Sequence, residues 1–106
     1  MLLRAGSGGV RSEHTSVVFN DQMWVIGGDD SGACCENDVW YSTDGIDWTQ
    51  ATTAAQWSER GLHGSFIFDN KMWIVGGSGG SFQNDVWYST DGIDWTEATS
   101  NAQWEV

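Results

Sequence analysis

The chain has 106 residues, the size of one small domain, and carries 4 Lys+Arg against 15 Asp+Glu for a formal net charge of −11. So acidic a chain repels polyanions, which argues against nucleic acid or an anionic membrane as partner. Eight Trp, 14 Gly and no Pro, with 40% of residues hydrophobic, fit neither a disordered chain nor a membrane span.

Residues 1–10 form a Gly/Ser-containing leader, and Met1-Leu2-Leu3-Arg4 is too brief for the apolar core of a signal peptide. His14 to Phe19 is β-branched and aromatic and reads as a strand. Asn20-Asp21 tolerate left-handed backbone, and Gln22 to Ile26 returns, closed by Gly27-Gly28; this is a hairpin signal. A polar loop over 29–36 is expected next. Asp38 to Ser42 then reads as a third strand, Asp44-Gly45 as a turn and Ile46 to Ala51 as a fourth strand. The plan recurs at His63 to Phe68, Lys71 to Val75, Asp85 to Ser89 and Ile93 to Ala98. No stretch holds a helical period of apolar residues, so the expected fold class is all-β. Apolar runs such as Met23-Trp24-Val25-Ile26 fall far short of the ~20 residues that cross a bilayer, so a soluble chain is expected, its compartment left open.

The recurrence is an internal repeat. Residues 37–57 align without gaps to 84–104 and differ only at 50/97, 53/100 and 54/101, which leaves 18 identities in 21 positions. Upstream, 11–28 pairs with 60–77 at an offset of 49, keeping Arg, His, Ser, Phe, Met, Trp and both Gly, 8 identities in 18. The offset falls to 47 because the segment after the first Gly-Gly is two residues longer, as surface loops allow. Residues 11–59 and 60–106 are thus two units of four strands each.

Four strands at a period just under 50 is the pattern of a propeller blade. The residues resemble the kelch family. In the second unit the marks are Arg60 and His63 opening the first strand, Met72-Trp73-Ile74-Val75 closing on Gly76-Gly77, Asn84-Asp85-Val86-Trp87-Tyr88, and Trp95. The first unit carries them at Arg11, His14, Gly27-Gly28, Asn37 to Tyr41 and Trp48. Ser42 to Trp48, repeated at Ser89 to Trp95, also looks like an Asp-box turn, one residue shorter and without its Thr. The resemblance implies kelch-like blades over 11–59 and 60–106. A closed propeller takes roughly 4–8 blades, so two must borrow neighbours from other copies, head-to-tail. A trimer of six blades is the first expectation, with a tetramer, a dimer or a fragment of a longer parent as alternatives.

In kelch-like blades the loops joining strands 2–3 and 4–1 share a rim used to bind partners. Here these are 29–37 and 78–83, and 53–59 and 100–106. The resemblance therefore makes Arg11, Arg60, Trp57, Trp104, Asp29 and Asp30 candidate ligand-binding residues. Six guanidinium groups in a trimer would suit a carboxylate or acidic peptide; the competing reading pairs each Arg with a nearby Asp. Trp57 and Trp104 either present flat faces to a sugar or wedge between blades, whereas Trp24, Trp40, Trp48, Trp73, Trp87 and Trp95 read as blade packing. His14 and His63, on the strand implied to line the channel, are expected to be structural, since metal ligation needs convergent atoms at about 2 Å. The segment 29–37 concentrates carboxylates but lacks calcium-loop spacing, and 78–83 has none, so no metal or other cofactor is expected. Vicinal cysteines rarely bridge each other, so Cys34 and Cys35 are expected to be free thiols on a loop.

Three functions follow. The first is a non-catalytic ring that binds a protein or glycan through its rim. The second is an assembly with no ligand. The third is an enzyme such as the copper oxidases among kelch-related propellers, disfavoured because Tyr41 and Tyr88 lie mid-strand in the repeated scaffold.

Overall fold

A computed structural model describes residues 3–4, 10–30 and 33–104, with side chains over 11–28 and 35–104. Among the described residues there are ten strands: β1 (Leu3–Arg4), β2 (Val10–Ser12), β3 (Thr15–Phe19), β4 (Gln22–Asp30), β5 (Ala33–Ser42), β6 (Thr49–Thr52), β7 (Gly64–Phe68), β8 (Lys71–Ser78), β9 (Phe82–Ser89) and β10 (Thr96–Thr99). All pairings are antiparallel. Strands β3 to β6 form the first blade as a meander, and β7 to β10 form the second in the same order. The leader adds a short hairpin to the first sheet: β1 pairs with β2, and β2 runs along the Asp29–Asp30 end of β4, beside β3 on the same edge.

Each first hairpin turns on two consecutive left-handed residues, Asn20 and Asp21 (φ 55° and 59°) or Asp69 and Asn70 (φ 53° and 59°). Such two-residue turns match the twist of the flanking strands. Two expectations about the later strands are corrected. The polar loop over 29–36 is largely strand: β4 and β5 pair beyond the glycines through Gly28↔Glu36 and Asp30↔Ala33. Gly27 and Gly28 (φ 60° and 105°) make a bulge, so the ladder bends instead of ending. The fourth strand starts later than Ile46, at Thr49, because the turn before it is larger than Asp44-Gly45. The Ser42 hydroxyl accepts from the amides of Asp44 (3.2 Å) and Gly45 (2.8 Å), and the Asp44 carboxylate accepts from those of Ile46 (2.9 Å) and Asp47 (3.0 Å). Ser89 and Asp91 repeat this with Asp91, Gly92, Ile93 and Asp94. These bonds use up the backbone donors that a strand ladder would need.

The core lies between the blades. One cluster joins Trp24, Ile26, Val39, Ala55 and Trp57 to Met72, Ile74 and Trp95 of the second blade. Alternation along the strands explains it: Trp24 and Ile26 point to the second blade, Met23 and Val25 to the opposite face, and in the second blade Met72 and Ile74 point back.

The seam also distinguishes two turns of identical sequence. A methyl group at Gly92 (φ 78°) would overlap the Trp24 ring, whereas at Gly45 (φ 79°) it meets only the flexible end of Met23, at 3.2 Å. Gly45→Ala should cost about 1 kcal/mol, the left-handed strain alone, in urea unfolding of the single chain. Gly92→Ala should cost at least twice as much; equal losses would mean the seam is not packed as described.

Candidate interaction site

The seam is built from the connection that leaves the first blade. Asn37, at the start of the repeated half, donates its side-chain amide to the carbonyls of Ala55 and Trp57 (both 3.3 Å), and its own carbonyl accepts from Ala55 N–H at 2.8 Å. The clamp turns Trp57 inward until it is 1% exposed. Its ring meets Trp95 edge-on (centroids 5.8 Å, 89°) and His63 (6.2 Å), with the Arg60 guanidinium over its face at 5.9 Å. Gln56 accepts from the Trp95 backbone amide at 2.8 Å, and Thr15 hydrogen-bonds His63 Nε2 at 2.7 Å. Of the two readings of Trp57, a wedge between blades is the one the structure carries.

Both arginines lie inside the blades, which corrects their expected place on an open rim. Arg11 is 1% exposed and holds Asp38 with both terminal nitrogens; Arg60 is fully buried and holds Asp85 at 2.6 and 2.9 Å. Arg60 also donates to the carbonyls of Gly76 (2.9 Å) and Ser58 (3.1 Å) and to the Ser58 hydroxyl (3.0 Å). Its planar fork is filled by these partners, and none of its donors faces a ligand. The physical cause is cooperative: Trp40 and Trp87 donate their indole N–H to Asp38 and Asp85 (3.0 and 2.8 Å), presenting each carboxylate to its guanidinium. Burial raises the Asp85 carboxyl, but the bonds from Arg60 and Trp87 and the charge of Arg60 outweigh it and hold the pKa below the ordinary range.

Asp29 and Asp30 lie on β4 opposite Ser12 and Arg11; their side chains, and with them the rim role expected of them, lie outside the described residues, as does the side chain of Cys34. Cys35 is not a free thiol: it is disulfide-bonded. It also sits on a strand rather than an open loop, 5% exposed, with Sγ 3.6 Å from the Ser78 carbonyl oxygen. His63 is buried, and desolvation first, then the charges of Arg60 and His14, lower its pKa to about 4. Among the described residues no cluster of His, Cys, Asp and Glu could hold a metal ion, and no helix is long and apolar enough to cross a membrane.

The 2–3 and 4–1 connections do meet. Cys35, Ser58, Glu59, Gly79 and Gly80 line one groove of about 280 Å³, and Leu62, Phe82, Gln83 and Trp104 line another of about 250 Å³ with the second Gly-Gly. The exposed Leu62, Phe82 and Trp104 were legible only in part: Trp104 stood out by its repeat position, whereas Leu62 and Phe82 replace Glu13 and Cys35 of the first unit and carry no motif.

Arg11, the Gly27-Gly28 bulge and the Asn37 to Tyr41 strand are the parts that build this junction, and residues 11–41 match the family model of the Kelch motif. The first blade thus carries a Kelch motif. The matched span runs from the buried Arg11 through β3 and β4 to Tyr41 on β5. No curated protein matches it.

Two outcomes test the blade interior. Asp85→Ala strands a buried guanidinium and should cost about 3–5 kcal/mol in urea unfolding, while the joint replacement Arg60→Met with Asp85→Leu should cost less. His63 stays neutral when folded and protonates near 6.5 when unfolded, so the unfolded state binds the extra proton between these values. Stability should be full above pH 6.5 and fall as pH drops toward 4, by on the order of a few kcal/mol. His63→Gln should flatten that window; an unchanged slope would assign it to other groups.

Proposed function

We propose that this chain is a non-catalytic kelch-like interaction module whose blades complete a propeller with further copies, three chains making six blades, and whose 2–3 and 4–1 rim binds a protein or glycan. One observation carries the assembly: on the face of each blade turned away from the seam, large apolar side chains stay exposed. On the first blade Met23 is 37% exposed, whereas its repeat counterpart Met72 is fully buried in the seam. On the second, exposed Phe66 stacks on half-buried Trp73 and exposed Phe68 meets it edge-on, whereas their counterparts Val17, Phe19 and Trp24 lie under the second blade. Exposed apolar faces of this kind mark interaction surfaces, and faces of two different kinds on one molecule pair head-to-tail.

The rim reading is supported by the two grooves where the connections meet and by exposed Leu62 and Phe82 beside them. The near-identity of 37–57 and 84–104 supports a second reading, an assembly with no ligand. Light scattering on the isolated chain should give three times 11.7 kDa, and glycan and peptide arrays probed with that species separate the two readings. Because each chain carries −11, raising the salt should strengthen assembly by screening repulsion. A species of one chain mass at micromolar concentration overturns the assembly.

A further inference from the structure

The first blade's open face carries a groove of about 380 Å³ whose lining includes His14, Val18, Met23, Val25 and Trp48. Its counterpart on the second blade is the surface that receives Trp57. The two ring partners of Trp57 are His63 and Trp95; the repeat places His14 and Trp48 at those positions, and both line the empty groove. At the other end of the chain, Trp104 is the repeat counterpart of Trp57. The start of its connection is held the same way: Asn84 donates to the Ala102 carbonyl at 3.4 Å and accepts from the Ala102 amide at 2.9 Å, as Asn37 does with Ala55, while its second bond goes to the Asn101 side chain where Asn37 reaches the Trp57 carbonyl. Ala102 is buried like Ala55, yet Trp104 is 48% exposed where Trp57 is 1%. A similar connection therefore presents the same indole half-exposed, beside Leu62, Phe82 and Gln83 rather than inside a seam.

We infer that Trp104 of one copy seats in the His14, Met23 and Trp48 groove of a second copy, reproducing between chains the joint that Trp57 makes within one. This rests on the assembly proposed above and names its contact. Neighbouring parts are complementary in the same register. Gln103 stands where Gln56 caps the Trp95 amide, and Trp73 stands where Trp24 covers Gly92, with exposed Gly45 as the matching turn. Arg11 stands where Arg60 lies over the indole. The occupant is a second copy because the chain displays the Trp104 connection and its receiving groove at once, each matching half of an interface already formed inside it.

A head-to-tail joint allows a test that a symmetric contact cannot pass. Trp104→Ala removes the inserting ring and keeps the groove; Met23→Glu places a charge in the groove and keeps the ring. Both sites are partly exposed in the single chain, so the thermal midpoints should stay within a few degrees of each other. Each variant alone should run at one chain mass in light scattering. Mixed in equal amounts, they should form a pair of two chains that grows no further, since only one ring and one groove remain to meet. Trp104→Phe should recover part of the wild-type mass. If the wild-type chain assembles and Trp104→Ala keeps its mass, or the mixture stays at one chain mass, the Trp104 joint is overturned and the ring reading stands. If the wild-type chain is itself a single chain in solution, the ring reading falls and the joint with it.

Discussion

The packing of one twisted sheet face on another, with Trp57 driven between them, is the constraint on which the rest of this chain depends. The apolar cluster buried at the seam is drawn from both blades, and the strand alternation that supplies it leaves a second apolar set on the far side of each, Met23, Val25 and Trp40 in the first. A fully buried large apolar side chain contributes about 1.5–3 kcal/mol. The seam, holding Trp24, Ile26, Trp57, Met72, Ile74 and Trp95, is therefore the main source of the chain's stability, and separating the blades would remove it altogether.

Arg60 shows how that packing is given a register. Its backbone belongs to the first blade's edge: its amide donates to the Glu36 carbonyl at 3.1 Å and its carbonyl accepts from Gly28 at 2.9 Å. Its side chain belongs to the second blade, on Asp85 and the Gly76 carbonyl. One residue thus fixes the spacing of the two sheets. A buried ion pair is a poor source of net stability, because desolvation cancels most of its attraction. What it supplies here is position, since sliding either sheet would leave a buried guanidinium without partners.

Much of this was legible in the residues. Asn20-Asp21 and Asp69-Asn70 announce their hairpins because few other pairs accept two left-handed residues in succession, and the repeated halves announce two blades. The bounds of β5 and β6 were not legible. Gly-Gly reads equally as a strand end or as a bulge, and only the partner strand decides. The serine and aspartate turn captures four amides through side chains, which a count of apolar residues cannot register. The arginines were readable as a pair of alternatives, and burial settled them: Trp40 and Trp87 give each aspartate a donor, so the carboxylate stays inside and draws the guanidinium after it. Cys35 was misread because its segment looked like loop. The partner face of Trp57 and the open position of Trp104 follow from the repeat only once it is known which blade faces which.

The two units have drifted unevenly, and the drift has a physical consequence. The half that carries the clamp, the turn and the inserted indole is nearly invariant, while the first strands differ. Thr15 bonds His63 across the seam, but its counterpart Gly64 has no hydroxyl to offer His14 of another copy. Val17 and Phe19, which fit under the second blade, become Phe66 and Phe68 on the open face, giving more apolar area and one hydrogen bond fewer. A joint between copies built on these residues is more hydrophobic and less directional than the seam inside the chain. It also lacks the covalent connection that keeps the internal partners at high effective concentration. On the assembly proposed above, the two-blade chain is the unit expected to persist on dilution, the ring coming apart between copies before it comes apart between blades.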